Sequence, residues 1–238
     1  MREVEIEGKS CVDLEVQDGP AYPYYYVFDG SHTAYVRHGD QSEEATSREL
    51  NELILQGMNQ TFDALPSSYR VGDVSFTLLA ATFKNLKKEE FDLEKDLPSA
   101  GLVTDDGQIT NGGLLLCDQG VLKQSRIFCT RWKGNYKGSV EEDALDDKEF
   151  QGASLITLLQ NAEDFVRNNS KNPWSIRGMT REERSDYPYK AVREVLVNAL
   201  IHRNYQILGS EIHVEVFDDR LEITSPGGMM NGRRVQDM

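Results

Sequence analysis

The chain is short of positive charge. Its 238 residues carry 26 Lys and Arg against 40 Asp and Glu, a formal net charge of −14. That argues against broad, non-specific attraction to nucleic acid, which needs clustered cations to replace phosphate counterions. Cysteine is scarce: Cys11, Cys117 and Cys129 are an odd set with no pair at metal-ligand spacing. A disulfide framework is therefore not expected, and reduced thiols in a cytoplasmic protein are. Long apolar runs are missing as well. The longest, Val74 to Phe83, falls far short of the ~20 residues that span a bilayer, so no membrane partner is expected. The charge-alternating start, Met1 to Glu5, lacks the form of a signal peptide. No internal repeat and no low-complexity tract is present.

What remains is an ordinary globular composition, 39% hydrophobic and 28% charged, in a length that suits one or two domains. The charge is uneven. Residues 1–60 hold 4 cations and 12 anions, residues 61–166 hold 11 and 18, and residues 167–238 hold 11 and 10. An anion-binding function therefore belongs in the last third.

Local patterns give the following expectations. Residues 12–16 and 22–37 read as extended, with a turn at Asp29-Gly30-Ser31 and a tyrosine run that suits either a strand face on a core or a stacking platform for bases. Ser47 to Gln56 reads as a helix, 57–73 as irregular, and Val74 to Asn85 as a helix. The alternation through 86–132 suits a winged-helix-like unit, with a buried strand at Gln124 to Trp132. The acidic run 141–149 reads as a solvated loop, 154–168 as a core helix, and 168–185 as a polar loop carrying Arg177, Arg181 and Arg184.

Residues 190–203 run without Gly or Pro, and their apolar positions cover most of a helical circumference. The spacing predicts a largely buried helix. Yet Glu194, Asn198 and His202 recur at i, i+4 and i+8, which aligns three polar groups on one stripe. Either a polar network satisfies them or they line a cavity, because burying them without partners costs several kcal/mol. A carboxylate and an amide one turn apart suit a hydrated Mg²⁺. Residues 211–224 then alternate as a β-hairpin and run into Ser225-Pro226-Gly227-Gly228, whose glycines allow close approach to the backbone.

The run Glu194 to Tyr205, followed by Asp219-Arg220-Leu221-Glu222-Ile223-Thr224-Ser225-Pro226-Gly227-Gly228, resembles the C-terminal half of bacterial RecG-related putative transcriptional regulators. These join a Schlafen AlbA-2 domain to a divergent GHKL-type ATP-binding domain. Pro23 to Tyr26, Asp29-Gly30-Ser31 and Ala34 to Gly39 resemble the second half of the AlbA-2 domain. Leu102, Ile109 to Leu116, Arg126 to Trp132 and Phe150 to Gly152 resemble the linking region.

The resemblance implies an α+β chain in three parts: 1–58 from the AlbA-2 domain, 59–150 as linking region, and 151–238 as a GHKL-like helix and sheet sandwich, incomplete at its C-terminal end. It implies an internal fragment of a longer protein. It assigns Glu194 as general base, and Asn198 as ligand of Mg²⁺ on the nucleotide phosphates. His202, Arg203, Ser225, Gly227 and Gly228 fall around the nucleotide. Two departures stand out: Ser225 occupies the position of an Asp that receives the adenine amino group, and Asn204 replaces the usual Asp after His-Arg. The function implied is an ATP-binding, DNA-associated transcriptional regulator, with ATP and Mg²⁺ as cofactors and DNA as partner through the full-length parent. The parent would hydrolyse ATP slowly, the fragment would not, and a homo-oligomer is one allowed assembly. The alternative is a non-catalytic scaffold or DNA-contact module with a degenerate nucleotide site.

Overall fold

The computed structural model describes residues 2–6, 8–13, 15, 19, 22–137, 144–171, 174–177, 180–183 and 185–228, with 174–177 and 180–183 described by backbone alone. The protein is α+β and divides into two units, Met1–Thr61 and Phe62–Met238.

In the first unit, β1 (Arg2–Ile6) and β2 (Lys9–Asp13) form an antiparallel pair. A second sheet holds β3 (Tyr25–Phe28), β4 (Ser31–His38) and β5 (Gln41–Glu44), in that order. The turn between β3 and β4 is the one read from Asp29-Gly30, both at positive φ. Helix α1 (Ser47–Gly57) starts with a capping box, in which Thr46 and Glu49 satisfy each other's backbone N–H groups. Among the described residues of this unit only Ala34 is buried. The tyrosine run does not pack on a core: Tyr24, Tyr25, Tyr26 and Phe28 are all exposed.

The second unit begins with β6 (Pro66–Arg70), where an irregular stretch was expected. Helix α2 (Thr77–Lys87) starts three residues later than the apolar run suggests, because Asp118 supplies its N-terminal acceptor. The Asp118 carboxylate accepts from Ser75 Oγ at 2.7 Å, from the N–H of Thr77 at 2.8 Å and from that of Leu78 at 3.1 Å. Helix α3 (Leu93–Ser99), β7 (Gln108–Thr110, paired with β6) and α4 (Asn111–Leu116) follow. Phe76, Leu97, Ile109, Leu114 and Cys117 form their shared core.

A four-stranded sheet carries the rest, in the order β13-β12-β8-β9. Strand β8 (Arg126–Trp132) falls within the stretch 124–132 expected as a buried strand, and it alternates buried and half-buried residues. Strand β9 (Ala144–Gln151) takes most of the acidic run expected to be a loop. Its carboxylates are tolerated because β9 is an edge strand on which Asp147 and Glu149 are exposed, while Phe150 packs against the core; residues 141–143 of that run lie outside the described residues. Helix α5 (Leu155–Asn169) follows with a Ser154 N-cap. A hairpin of β10 (Trp174–Arg177) and β11 (Thr180–Glu183) replaces the polar loop expected there. Helix α6 (Tyr189–Ile201) precedes the hairpin β12 (Ile212–Val216) and β13 (Leu221–Thr224). Strand β12 pairs parallel to β8, with Val214 opposite Cys129.

Helices α5 and α6 cover one face of this sheet. Leu158, Ala162, Leu196 and Leu200 interlock with Ile127, Cys129, Ile212 and Val214. Helix α6 is buried on one face alone, through Val192, Leu196, Ala199 and Leu200. Its circumference is not closed over as expected, since Val195 and Ile201 are 48% and 57% exposed. No helix among the described residues is long and apolar enough to cross a membrane.

Asp118 generates a prediction. Burial alone would raise its pKa, but the hydrogen bonds from Ser75, Leu78 and Thr77 outweigh that and hold it below the usual 3.8. A lowered folded pKa stabilises above the unfolded value, and that stabilisation is lost as pH falls through the folded one. Asp118→Ala should cost about 1–2 kcal/mol near neutral pH. The gap between variant and wild type should close on titrating below pH 3.8, as followed by urea unfolding. A gap that stays constant with pH would show that the carboxylate charge is irrelevant.

Candidate functional site

Every candidate residue sits on α6, on the segment just after it, or on the loop after β13. Burying Val192, Leu196, Ala199 and Leu200 against the sheet turns the opposite stripe of α6 outward. Glu194 and Asn198 lie on that stripe and are exposed, one turn apart. His202 ends the helix; its N–H donates to the Asn198 carbonyl at 3.0 Å, and its ring is on the exposed side. The stripe is thus an open surface edged by Val195 and Ile201, and not a network inside the core.

The loop Ser225–Gly228 is fastened to the C-terminal end of the same helix. Ser225 Oγ donates to the Ala199 carbonyl at 2.8 Å. The Asn204 N–H donates to the Pro226 carbonyl at 2.8 Å. Gly227 has φ +137°, and a Cβ there would sit 3.3 Å from the Asn204 backbone nitrogen. Only glycine takes that backbone conformation at no cost, so Gly227 serves the chain's own turn against Asn204. Gly228 is exposed, with nothing within 4 Å of where a Cβ would stand.

Arg203 points inward. It is 4% exposed, and its guanidinium donates to the carbonyls of Asn204 at 3.3 Å, Ile207 at 3.0 Å and Ser210 at 2.5 Å. It also lies 4.8 Å from the centre of the Tyr205 ring. Burial pulls its pKa down, while Tyr205 and Glu211 pull it back up. The side chain is a clasp on the segment 204–210 and is not directed to the surface.

Two residues of this junction, Asn204 and Tyr205, lie in the motif read from the sequence but were given no role there. Asn204 joins helix and loop through its N–H, and its Oδ1 accepts from the Gln206 N–H at 2.9 Å. That side chain-to-backbone turn is the ordinary signal of Asn. Tyr205 is buried, donates to the Leu200 carbonyl at 2.8 Å, and has its pKa pushed up to about 12 by burial. A cleft of about 320 Å³ also opens near the start of α6, lined by Glu163, Val166, Ser170, Tyr187, Tyr189 and Val192. Glu163 Oε1 accepts there from Arg193 at 2.7 Å. The side chains of Arg177, Arg181 and Arg184 lie outside the described residues.

Chemically, the stripe offers one carboxylate and one amide oxygen to solvent, on a helix whose C-terminal end holds the loop with the exposed Gly228. Among the described residues no group of three or more His, Cys, Asp or Glu is placed to hold a metal ion. A hydrated Mg²⁺ needs only one or two protein oxygens when phosphates supply others, and Glu194 and Asn198 fit that donor set.

Comparison with known proteins adds two findings. Residues 209–238 match the family described as "Putative ATP-dependent DNA helicase recG C-terminal", a span that takes in the β12–β13 hairpin and the glycine loop. The chain is also similar to the crystal structure of the DIP2311 protein from Corynebacterium diphtheriae, with 22% identity and a TM-score of 0.58. That match covers 84% of this chain and 40% of the other, so the chain spans less than half the length of that protein. At this identity the likeness is one of fold. No curated protein matches the chain.

The inward and outward residues should separate cleanly in stability. Arg203→Ala should lower stability by about 2–4 kcal/mol, since it unties three carbonyls and opens a buried volume. Glu194→Ala and Asn198→Ala should each stay within about 0.5 kcal/mol of wild type. Thermal unfolding of the three variants measures this; an Asn198→Ala protein that melts early would make the stripe a structural network.

Proposed function

We propose that this chain is part of an ATP-binding, DNA-associated transcriptional regulator of the cytoplasm, in which nucleotide acts as a switch or a slow substrate. The observation that carries this reading is the fastening of the Ser225–Gly228 loop to the end of the helix whose outer stripe presents Glu194 and Asn198. The glycine loop is thereby fixed at the C-terminal end of the helix, with Asn198 in the last turn and Glu194 one turn before it. The match of residues 209–238 to an ATP-dependent family supports the same reading.

Within it, Asn198 would hold a hydrated Mg²⁺, and Glu194 would orient a water and accept its proton. When bound, Mg²⁺ supplies charge neutralisation to the phosphate oxygens. Gly228 offers backbone N–H to the nucleotide. His202 lies at the edge of that surface, while Arg203 contributes by holding the loop that follows. Contact with DNA belongs to the full-length parent, because the net charge of −14 opposes tight binding by this chain.

One observation favours a second reading, a scaffold or DNA-contact module with a degenerate nucleotide site. The Ser225 hydroxyl hydrogen is engaged by the Ala199 carbonyl, which leaves the oxygen as a neutral acceptor where a carboxylate would be a charged one.

Calorimetry of ATP binding to the full-length parent, with and without Mg²⁺, distinguishes the two. Binding that needs Mg²⁺ and falls about tenfold or more in Asn198→Ala, with unfolding temperature unchanged, is the expected result. Absence of any binding heat, or binding indifferent to Asn198→Ala, would leave the scaffold reading in place. With Glu194 and Asn198 both exposed to solvent, the chain should show negligible ATP turnover, since phosphoryl transfer depends on a site that excludes water. Turnover by this chain that Glu194→Ala abolishes would contradict that.

A further inference from the structure

The cleft between α5 and the start of α6 is built differently from the exposed stripe. Glu163 and Val166 lie three residues apart on α5, and Tyr189 and Val192 three apart on α6, so each helix turns one face into it. Val166 and Val192 are buried and supply apolar lining. Tyr187 and Tyr189 add two phenol rings. Val192 and Glu194 are two residues apart on α6 and therefore lie on nearly opposite sides of it. The cleft is thus separate from the surface that presents Glu194 and Asn198.

Glu163 sets the chemistry. It is 8% exposed, and its two oxygens are unequally used. Oε1 accepts from the Arg193 guanidinium at 2.7 Å. Among the described residues Oε2 accepts only from the Tyr189 hydroxyl, at 3.4 Å, which is longer than an ordinary O–H···O bond. A buried carboxylate oxygen held so loosely has capacity for a stronger donor. The charges of the lining are already balanced: Glu163 pairs with Arg193, and Arg167 with Asp164. A cation would compete with Arg193, and an anion would meet the Glu163 carboxylate. The volume of about 320 Å³ is at the lower end of small-molecule sites, and phenol rings with an apolar lining favour a flat ring. We propose that this cleft is a binding site for a flat, uncharged aromatic compound of indole size that donates an N–H to Glu163 Oε2. The site does not rest on the nucleotide reading.

The test uses the whole chain and ligand-observed NMR titration with indole, with 1-methylindole and benzamidine as counterparts. Indole should bind saturably and about tenfold more tightly than 1-methylindole, which keeps the shape and loses the donor. Glu163→Gln should weaken indole about tenfold and leave 1-methylindole unchanged, because the amide turns its oxygen to Arg193 and its NH₂ to the ligand. Ser185→Trp fills the cleft from an exposed lining position and should abolish indole binding; it gives an independent reading should Glu163→Gln unfold. Absence of saturable binding overturns the proposal. Equal binding of indole and 1-methylindole overturns it in favour of a merely apolar crevice. Tighter binding of benzamidine overturns it in favour of a cation site. Indole binding unmoved by Ser185→Trp places the ligand elsewhere, and displacement of indole by ATP makes the cleft part of a nucleotide site; either result overturns the assignment.

Discussion

The burial of one face of the sheet β13-β12-β8-β9 beneath α5 and α6 is the constraint on which the second unit depends. Ile127, Cys129, Leu158, Leu196, Ile212 and Val214 are fully enclosed there. Each buried aliphatic side chain contributes on the order of 1.5–3 kcal/mol, so the rotation of α6 about its axis is fixed by this contact. Everything that the helix offers to solvent follows from that rotation. Glu194 and Asn198 face out because Leu196 and Leu200 face in, and no local preference of the polar residues is needed.

The second constraint acts at the end of the helix. The last turn of α6 leaves carbonyls without intrahelical partners, and the Ser225 hydroxyl takes the one at Ala199. Asn204 returns the contact by donating to Pro226. Arg203 then closes the segment 204–210 from beneath through three backbone carbonyls. The glycine loop is therefore held by the helix and not by the sheet alone, which fixes the relation between the loop and the polar stripe.

The sequence was legible where one period dominated. The apolar spacing of 154–168 appears as a core helix, the run 124–132 as a strand over 126–132, and 211–224 as a hairpin turning at Asp218-Asp219. Strand β9 was missed because most of its residues are charged or exposed and only Phe150 packs against the core. Strand β6 was missed because Pro66-Ser67-Ser68 reads as a turn. For α6, composition alone overstated burial: Val195 and Ile201 are apolar yet outward, and hydrophobicity does not say which face meets the sheet. The stripe was visible as spacing, and its exposure was not. The inward direction of Arg203 was not legible for a related reason. A guanidinium buried on backbone carbonyls has no sequence signature, since its partners are the main chain of residues that follow it.

The parallel pairing of β12 with β8 has a consequence for how the molecule assembles itself. Arg131 and Val216 are register partners 85 residues apart. Bringing such distant strands together costs about 4 kcal/mol in loop-closure entropy before any contact repays it. Contacts of this kind slow folding, while helices and tight hairpins form early. Helix α6 and the hairpin β12–β13 are local structures, yet the core that orients them requires β8. The arrangement of Glu194, Asn198 and the glycine loop is thus among the last features to become native, and a chain caught before that step would display intact secondary structure with no assembled site.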